Sequence, residues 1–260
     1  MTEQPQPTKK ERREAARAER IAAEERAAAA AARKRRLGIL GGLLVAAVAV
    51  VVLAIALSGG DDNKAEGGGG VEGAAKVNKL YAGIPQDGIT LGDPKAKATI
   101  VVFADPQCPF CRDFDQTELP EVVEKQVRTG RAKLVLRMRA FLGEDSLKAT
   151  NALYAASEQD KMFQAAAVLY DNQGEENSGW VTEEKLREIL GAVQGLDVDK
   201  ALTAAEGETP ARLLGEAESL ASRYGSQSTP DIYVGTSEND ANKTDPTAAA
   251  INKAVDEIAG

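Results

Sequence analysis

Apolar and polar positions follow several different periods along this chain. The longest unbroken apolar stretch runs from Leu37 to Leu57, 21 residues without a charged or polar side chain. As a helix it would span about 30 Å at about 1.5 Å per residue, the thickness of a bilayer core, so it is read as a transmembrane helix rather than a core helix. Further along, Thr99 to Ala104 is a short apolar run rich in β-branched residues and predicts a buried central strand. Lys133 to Arg139 alternates, with Leu134, Leu136 and Met138 on one face, and predicts a second strand. Ile232-Tyr233-Val234 predicts a third. Ile89-Thr90-Leu91, closed by Gly92-Asp93-Pro94, predicts a fourth at an edge. Between these the period is helical. Residues 110–129 form a helix ended by Gly130 and broken near Leu119 by Pro120. Helices follow over 146–157, 161–171 and 183–192, the last with Thr182 as N-cap. Another covers 210–224, with Thr209 as cap, Pro210 at the first position and Gly225 as stop. The last helix repeats this device with Asp245 and Pro246. The stretch Gly235–Pro246 is so polar that the final strand of the sheet reads as short or absent. The order of elements is that of an α/β domain carrying a helical insertion.

Charge divides the chain at the apolar run. Residues 1–36 hold 11 basic and 6 acidic side chains, whereas the remainder holds 21 basic and 34 acidic ones. Arg33, Lys34, Arg35 and Arg36 abut the run on one side, and Asp61 and Asp62 follow it on the other. Positive flanks stay cytoplasmic, which places the N-terminus inside and the acidic part outside. The 36-residue charged leader and the length of the run fit an anchor better than a cleaved signal peptide. Four regions result: a basic, Ala-rich cytoplasmic tail (1–36), a transmembrane helix (37–57), a flexible Gly-rich linker (58–70) and an extracytoplasmic globular domain (71–260). The net charge of −8 argues against nucleic acid as a partner. The absence of histidine removes imidazole catalysis and His-ligated metal sites.

The chain has two cysteines, in Cys108-Pro109-Phe110-Cys111, shortly after the central strand and at the start of a helix. A zinc site needs four ligands, and with no third Cys and no His only an intermolecular one remains. A purely structural disulfide would close a very short loop and add little stability. A redox dithiol is the reading the context favours. A helix N-terminus stabilises thiolate through its unpaired N–H groups and positive dipole end. Pro109 suits the first helical turn. Cys108 is then the exposed nucleophile, and Cys111, one turn inward, the resolving thiol.

Strand, Cys-Pro-Phe-Cys, broken helix, strand, helical block and Thr-Pro-strand together resemble the DsbA-like branch of the thioredoxin family. Leu91-Gly92-Asp93-Pro94, Phe103-Ala104-Asp105 and Leu169-Tyr170-Asp171-Asn172-Gln173 agree with it, and the resemblance covers residues 85–260. It is similar in particular to the membrane-anchored proteins of Gram-positive bacteria. The resemblance implies a thioredoxin-like fold with a helical insertion, behind a single transmembrane helix. It implies a cis bond between Thr229 and Pro230, with that segment pairing an extended substrate. It implies disulfide transfer to reduced secreted or membrane proteins, regeneration by a membrane quinone-linked oxidase of the DsbB or VKOR type, and no bound metal or organic cofactor. A monomer is the default.

Three departures from the family stand out. Phe110 replaces the histidine that strongly oxidising relatives carry, which removes one partner of the Cys108 thiolate and lowers the expected oxidising power. Phe110 either adds to an apolar substrate surface or packs within its helix. The family's buried acid, six residues before the first Cys, is Val102 here; Asp105 either replaces it or is an ordinary loop Asp. The polar stretch after Val234 is the third departure. Two other readings stay open: a reductase or isomerase of the same fold, and a tethered binding or chaperone module with a vestigial Cys pair. Trp180 reads as packing, and the pairs Glu175-Glu176 and Glu183-Glu184 as loop and helix-start charges.

Overall fold

Seven consecutive buried residues, Ala98–Ala104, form β3, one of the two central strands of a six-stranded sheet. A strand covered on both faces needs apolar side chains at both parities, which is why this segment reads as a continuous run. The computed structural model describes residues 70–260. The expected tail, transmembrane helix and nearly all of the linker lie outside the described residues. Among the described residues no helix is long and apolar enough to cross a membrane.

The sheet order is β1-β2-β4-β3-β5-β6. β1 is Gln86–Asp87, β2 Thr90–Leu91, β4 Ala132–Met138, β5 Asp231–Ser237 and β6 Asp240–Thr244. β3 runs parallel to β4 and antiparallel to β5. The strand expected at an edge, Ile89–Leu91, is β2, and the short β1 lies outside it. The final strand is present. β6 has no buried residue because it pairs on one side only, so its polar sequence suits an edge.

Around the sheet lie α1 (Ala74–Tyr81), α2 (Pro109–Thr117), α3 (Leu119–Val122) with a π-helical turn at Val123–Val127, and α4 (Glu144–Ser157). α5 (Met162–Asp171), α6 (Glu183–Gly191), α7 (Val198–Ala204), α8 (Glu208–Tyr224) and α9 (Ala248–Ala259) complete the described part. Pro120 breaks the α2–α3 run where expected, between Thr117 and Leu119. α4 to α8 are the helical insertion between β4 and β5. Ile100, Val102, Leu134, Leu136, Met138, Ile232 and Val234 share the larger core with α2, α5 and α9. Val101, Phe103 and Tyr233 meet Leu220 and Ala221 of α8 in a smaller core. Two caps differ from expectation. Gly207, not Thr209, precedes α8, and Thr247, not Asp245, caps α9 by accepting from Ala250 N. Thr182 caps α6 as expected, its hydroxyl accepting from Lys185 N at 3.1 Å.

Candidate active site

β3 ends at Ala104, and Asp105–Cys108 carries the chain to the N-terminus of α2. Cys108 is the N-cap, with extended backbone, and Pro109 follows in the first turn. The N–H groups of Cys111 and Arg112 bond the Cys108 carbonyl at 3.1 and 3.2 Å. The cap residue of the helix is thus the first cysteine itself, which sets its sulfur beside the free N–H groups of the first turn.

The loop before it is held from below. The Asp105 carboxylate is fully buried. It accepts from Gln107 N at 2.9 Å, Phe141 N at 3.1 Å, Leu142 N at 3.2 Å and the Ser146 hydroxyl at 2.5 Å. Tyr170 OH donates to the Asp105 carbonyl at 3.2 Å. Gln173 Nε2 donates to the carbonyls of Pro106 and Cys108 at 2.8 and 3.2 Å. The Leu169–Gln173 segment is therefore a working part of the site. The sequence showed it as a family likeness, but nothing local to it announced that it would reach Cys108.

The Thr229–Pro230 bond is cis. Thr229 faces the pair: the Cys108 thiol lies 3.3 Å from the Thr229 carbonyl, to which it donates. Arg139 ties the same loop down, donating to the Ser226 carbonyl at 3.3 Å while paired with Glu218 at 2.8 Å. The structure thus joins Cys108, Pro109, Cys111, Thr229 and Pro230, some 120 residues apart in the chain, in one place. Phe110, between the two cysteines, is not buried with them. At 69% exposure it is no part of the helix packing, and Phe141 and Leu147 are the other large exposed apolar side chains among the described residues. Cys108 departs from expectation. It is only 4% exposed, with its sulfur against the Thr229 carbonyl. Cys111 is 1% exposed, as its inward position required.

The family model described as thioredoxin matches residues 85–257. The chain belongs to the thioredoxin family. A probable disulfide bond formation protein D of Bacillus anthracis is 27% identical over 185 residues, 70% of this chain and 82% of that one. The crystal structure of oxidised BdbD from Bacillus subtilis has the same fold, with a TM-score of 0.59 and 22% identity over 66% of this chain and 93% of the other. DsbA of Chlamydia trachomatis gives a TM-score of 0.57 and 23% identity over 65% and 90%. The chain is a thiol–disulfide oxidoreductase of that family.

In this thioredoxin-family site the two sulfurs are held at opposite ends of the thiol range. The Cys108 thiol is pulled from an ordinary 9.0 down to about 6. The largest cause is the hydrogen bond from the Cys111 side chain; burial works against it, and the Thr229 side chain and the backbone at Cys111 and Phe110 add to it. At pH 7 that makes the thiolate about tenfold more abundant than the thiol. The Cys111 thiol is pushed well up, first by burial and then by its bond to, and the charge of, Cys108. The pair is thus a thiolate nucleophile beside a thiol that keeps its proton. At position 102 the valine is part of the larger apolar core and offers no acid itself. Asp105 does not replace that acid: its carboxylate is spent on the four donors that shape the loop.

Proposed function

We propose that this protein oxidises thiols of secreted or membrane proteins to disulfides, working outside the cytoplasm from a membrane anchor. The observation that carries the direction is the Cys108 thiol held down at about 6 beside a raised Cys111. Stabilising the thiolate stabilises the dithiol state, so the Cys108–Cys111 disulfide gains as an oxidant. The lowered thiol lies on the side of thioredoxin, at about 7, that leads towards DsbA, at about 3.5.

In this reading a client thiolate attacks Cys108 and a second client thiolate releases it, leaving the client with a disulfide. The cis-Pro230 segment pairs the extended client, with Thr229 beside the attacked sulfur. Exposed Phe110 and Phe141 supply apolar contact around it. The relatives' names point to disulfide formation, and a membrane oxidase of the DsbB or VKOR type fits as the re-oxidant. The anchor rests on Leu37–Leu57 and its flanking charges.

The test is the reduction potential in a glutathione series. A value between about −120 and −200 mV supports oxidation; one near about −270 mV reverses the direction and supports a reductase. That second reading has Phe110 in its favour. In either direction Cys108→Ser should abolish exchange, and Cys111→Ser should accumulate mixed disulfides on Cys108. A Cys111→Ser variant that traps no client during active secretion would sink the proposal.

A further inference from the structure

When a thiolate attacks Cys108 of the disulfide, Cys111 has to leave. Its raised thiol makes it a poor anion, so departure needs a proton close by. Val102 cannot give one. Yet Val102 lines a small cavity of about 20 Å³, and Cys111, Asp115 and Tyr170 line the same space. That volume holds about one water molecule. Asp115 lies four residues after Cys111 on α2, so the two share one face of the helix. Leu119, Leu134, Leu136 and Phe163 give it apolar walls.

We propose that Asp115 exchanges the proton with Cys111 through this cavity, supplying from the helix the acid that Val102 does not supply from the strand. The inference rests on the oxidoreductase reading and adds to it. Two charged groups face the carboxyl from neighbouring elements: Asp171 at the end of α5 and Lys76 on α1. Asp171 is itself held by Gln116 Nε2 at 2.8 Å. Tyr170 of α5 and Tyr81 of α1 also line the cavity, and burial holds both phenols neutral. Burial first, and then Asp171, raise the Asp115 carboxyl to about 7, with Lys76 opposing. It can thus both hold and release a proton near neutrality.

The step balances as follows in the oxidising direction. A client thiolate attacks Cys108 Sγ; the client–Cys108 bond forms and the Cys108–Cys111 bond breaks, its electron pair going to Cys111. Protonated Asp115 passes its proton to Cys111 Sγ and becomes a carboxylate. A second client thiolate attacks the client sulfur of the mixed disulfide and displaces Cys108 as thiolate. The client dithiol is oxidised by two electrons and the Cys pair reduced by two. When a disulfide-bearing oxidase forms a mixed disulfide on Cys108, the Asp115 carboxylate takes the proton back as Cys111 attacks.

The test uses the oxidised full chain, reduced by a cysteine peptide in quenched flow from about pH 5 to about pH 9, with rates divided by the peptide thiolate concentration. The wild-type rate should fall through an inflection near pH 7, the value about which the carboxyl titrates. Asp115→Asn should lose the inflection and slow about tenfold or more below it. Asp115→Glu, which keeps the carboxyl, should keep it. An inflection that persists in Asp115→Asn overturns the proposal. Infrared titration of the wild-type chain with labelled aspartate gives a reading that no folding defect can spoil. A protonated carboxyl lost between pH 6 and pH 8 is expected from a group about 7, and its absence overturns the proposal. A wild-type chain that oxidises no thiol overturns the oxidoreductase reading, and this inference with it. An active chain without the inflection overturns this inference alone.

Discussion

At Cys108 the groups that hold the thiolate are the Cys111 and Thr229 side chains and the backbone at residues 110 and 111, and none is a cation. The pH dependence follows from that. The folded thiol is at about 6 and the ordinary one at 9.0, so between those values the unfolded dithiol chain binds more protons than the folded one. The stability contributed by Cys108 is therefore complete above pH 9.0, falls as the pH drops, and is gone below about 6. The disulfide form has no such group. Comparing the melting of both forms should show the reduced one gaining on the oxidised one from pH 6 to pH 9, the interval between those two values. Alkylation of Cys108 should reach half its plateau rate near pH 6. Phe110→His should shift that midpoint down by about one unit and raise the reduction potential by about 30 mV, since a protonated imidazole favours the thiolate. No shift in either quantity would mean that residue 110 stands too far from the sulfur to matter. Both cysteines and Pro230 were legible in the sequence because the motif is local and its partner loop has a Thr-Pro signature. Asp115 was not, because in Arg112-Asp113-Phe114-Asp115-Gln116 it reads as one of several surface charges. Only the fold shows that it lines a cavity with Cys111.

Among the elements, the Asp105–Cys108 loop depends on the insertion helices more than on its own turn. Asp105→Ala would leave the N–H groups of Gln107, Phe141 and Leu142 and the Ser146 hydroxyl without their acceptor. Each orphaned buried donor costs about 1–3 kcal/mol, partly relieved by relaxation, so a loss of about 3 kcal/mol or more is expected. It should fall on oxidised and reduced protein alike in urea melts. A loss confined to one form would make Asp105 a redox group after all. The helices and strands of the core were legible wherever one period dominated, as in Ala98–Ala104 and in the Thr182-capped α6. Caps failed where two candidates lay within two residues, as Asp245 and Thr247 do. α7 escaped notice because its seven residues hold a single buried side chain, Ala201. β6 was obscured for the opposite reason: an unpaired edge gives its side chains nothing apolar to cover.

For the whole molecule, the proposed function joins the charge step across Leu37–Leu57 and the redox site in one scheme. An oxidant of this kind works where no reducing pool undoes its product. We expect a reporter that folds only outside the cytoplasm to be active when fused after residue 260, and a cytoplasmic reporter to be active when fused before residue 37. The opposite pattern would refute the anchor's orientation. In the proposed location, however, a low thiol is also a target for peroxides, which convert thiolates stepwise to sulfenic and then irreversible sulfinic acid. The 4% exposure of Cys108 bears on this hazard. A peptide that pairs with Thr229–Pro230, as the proposed function has it, would bring its sulfur in on a fixed line, whereas a freely tumbling oxidant meets a sulfur with little exposed surface. With Cys111 beside it to capture a sulfenic acid as the ordinary disulfide, accidental oxidation returns the enzyme to its working state instead of destroying it.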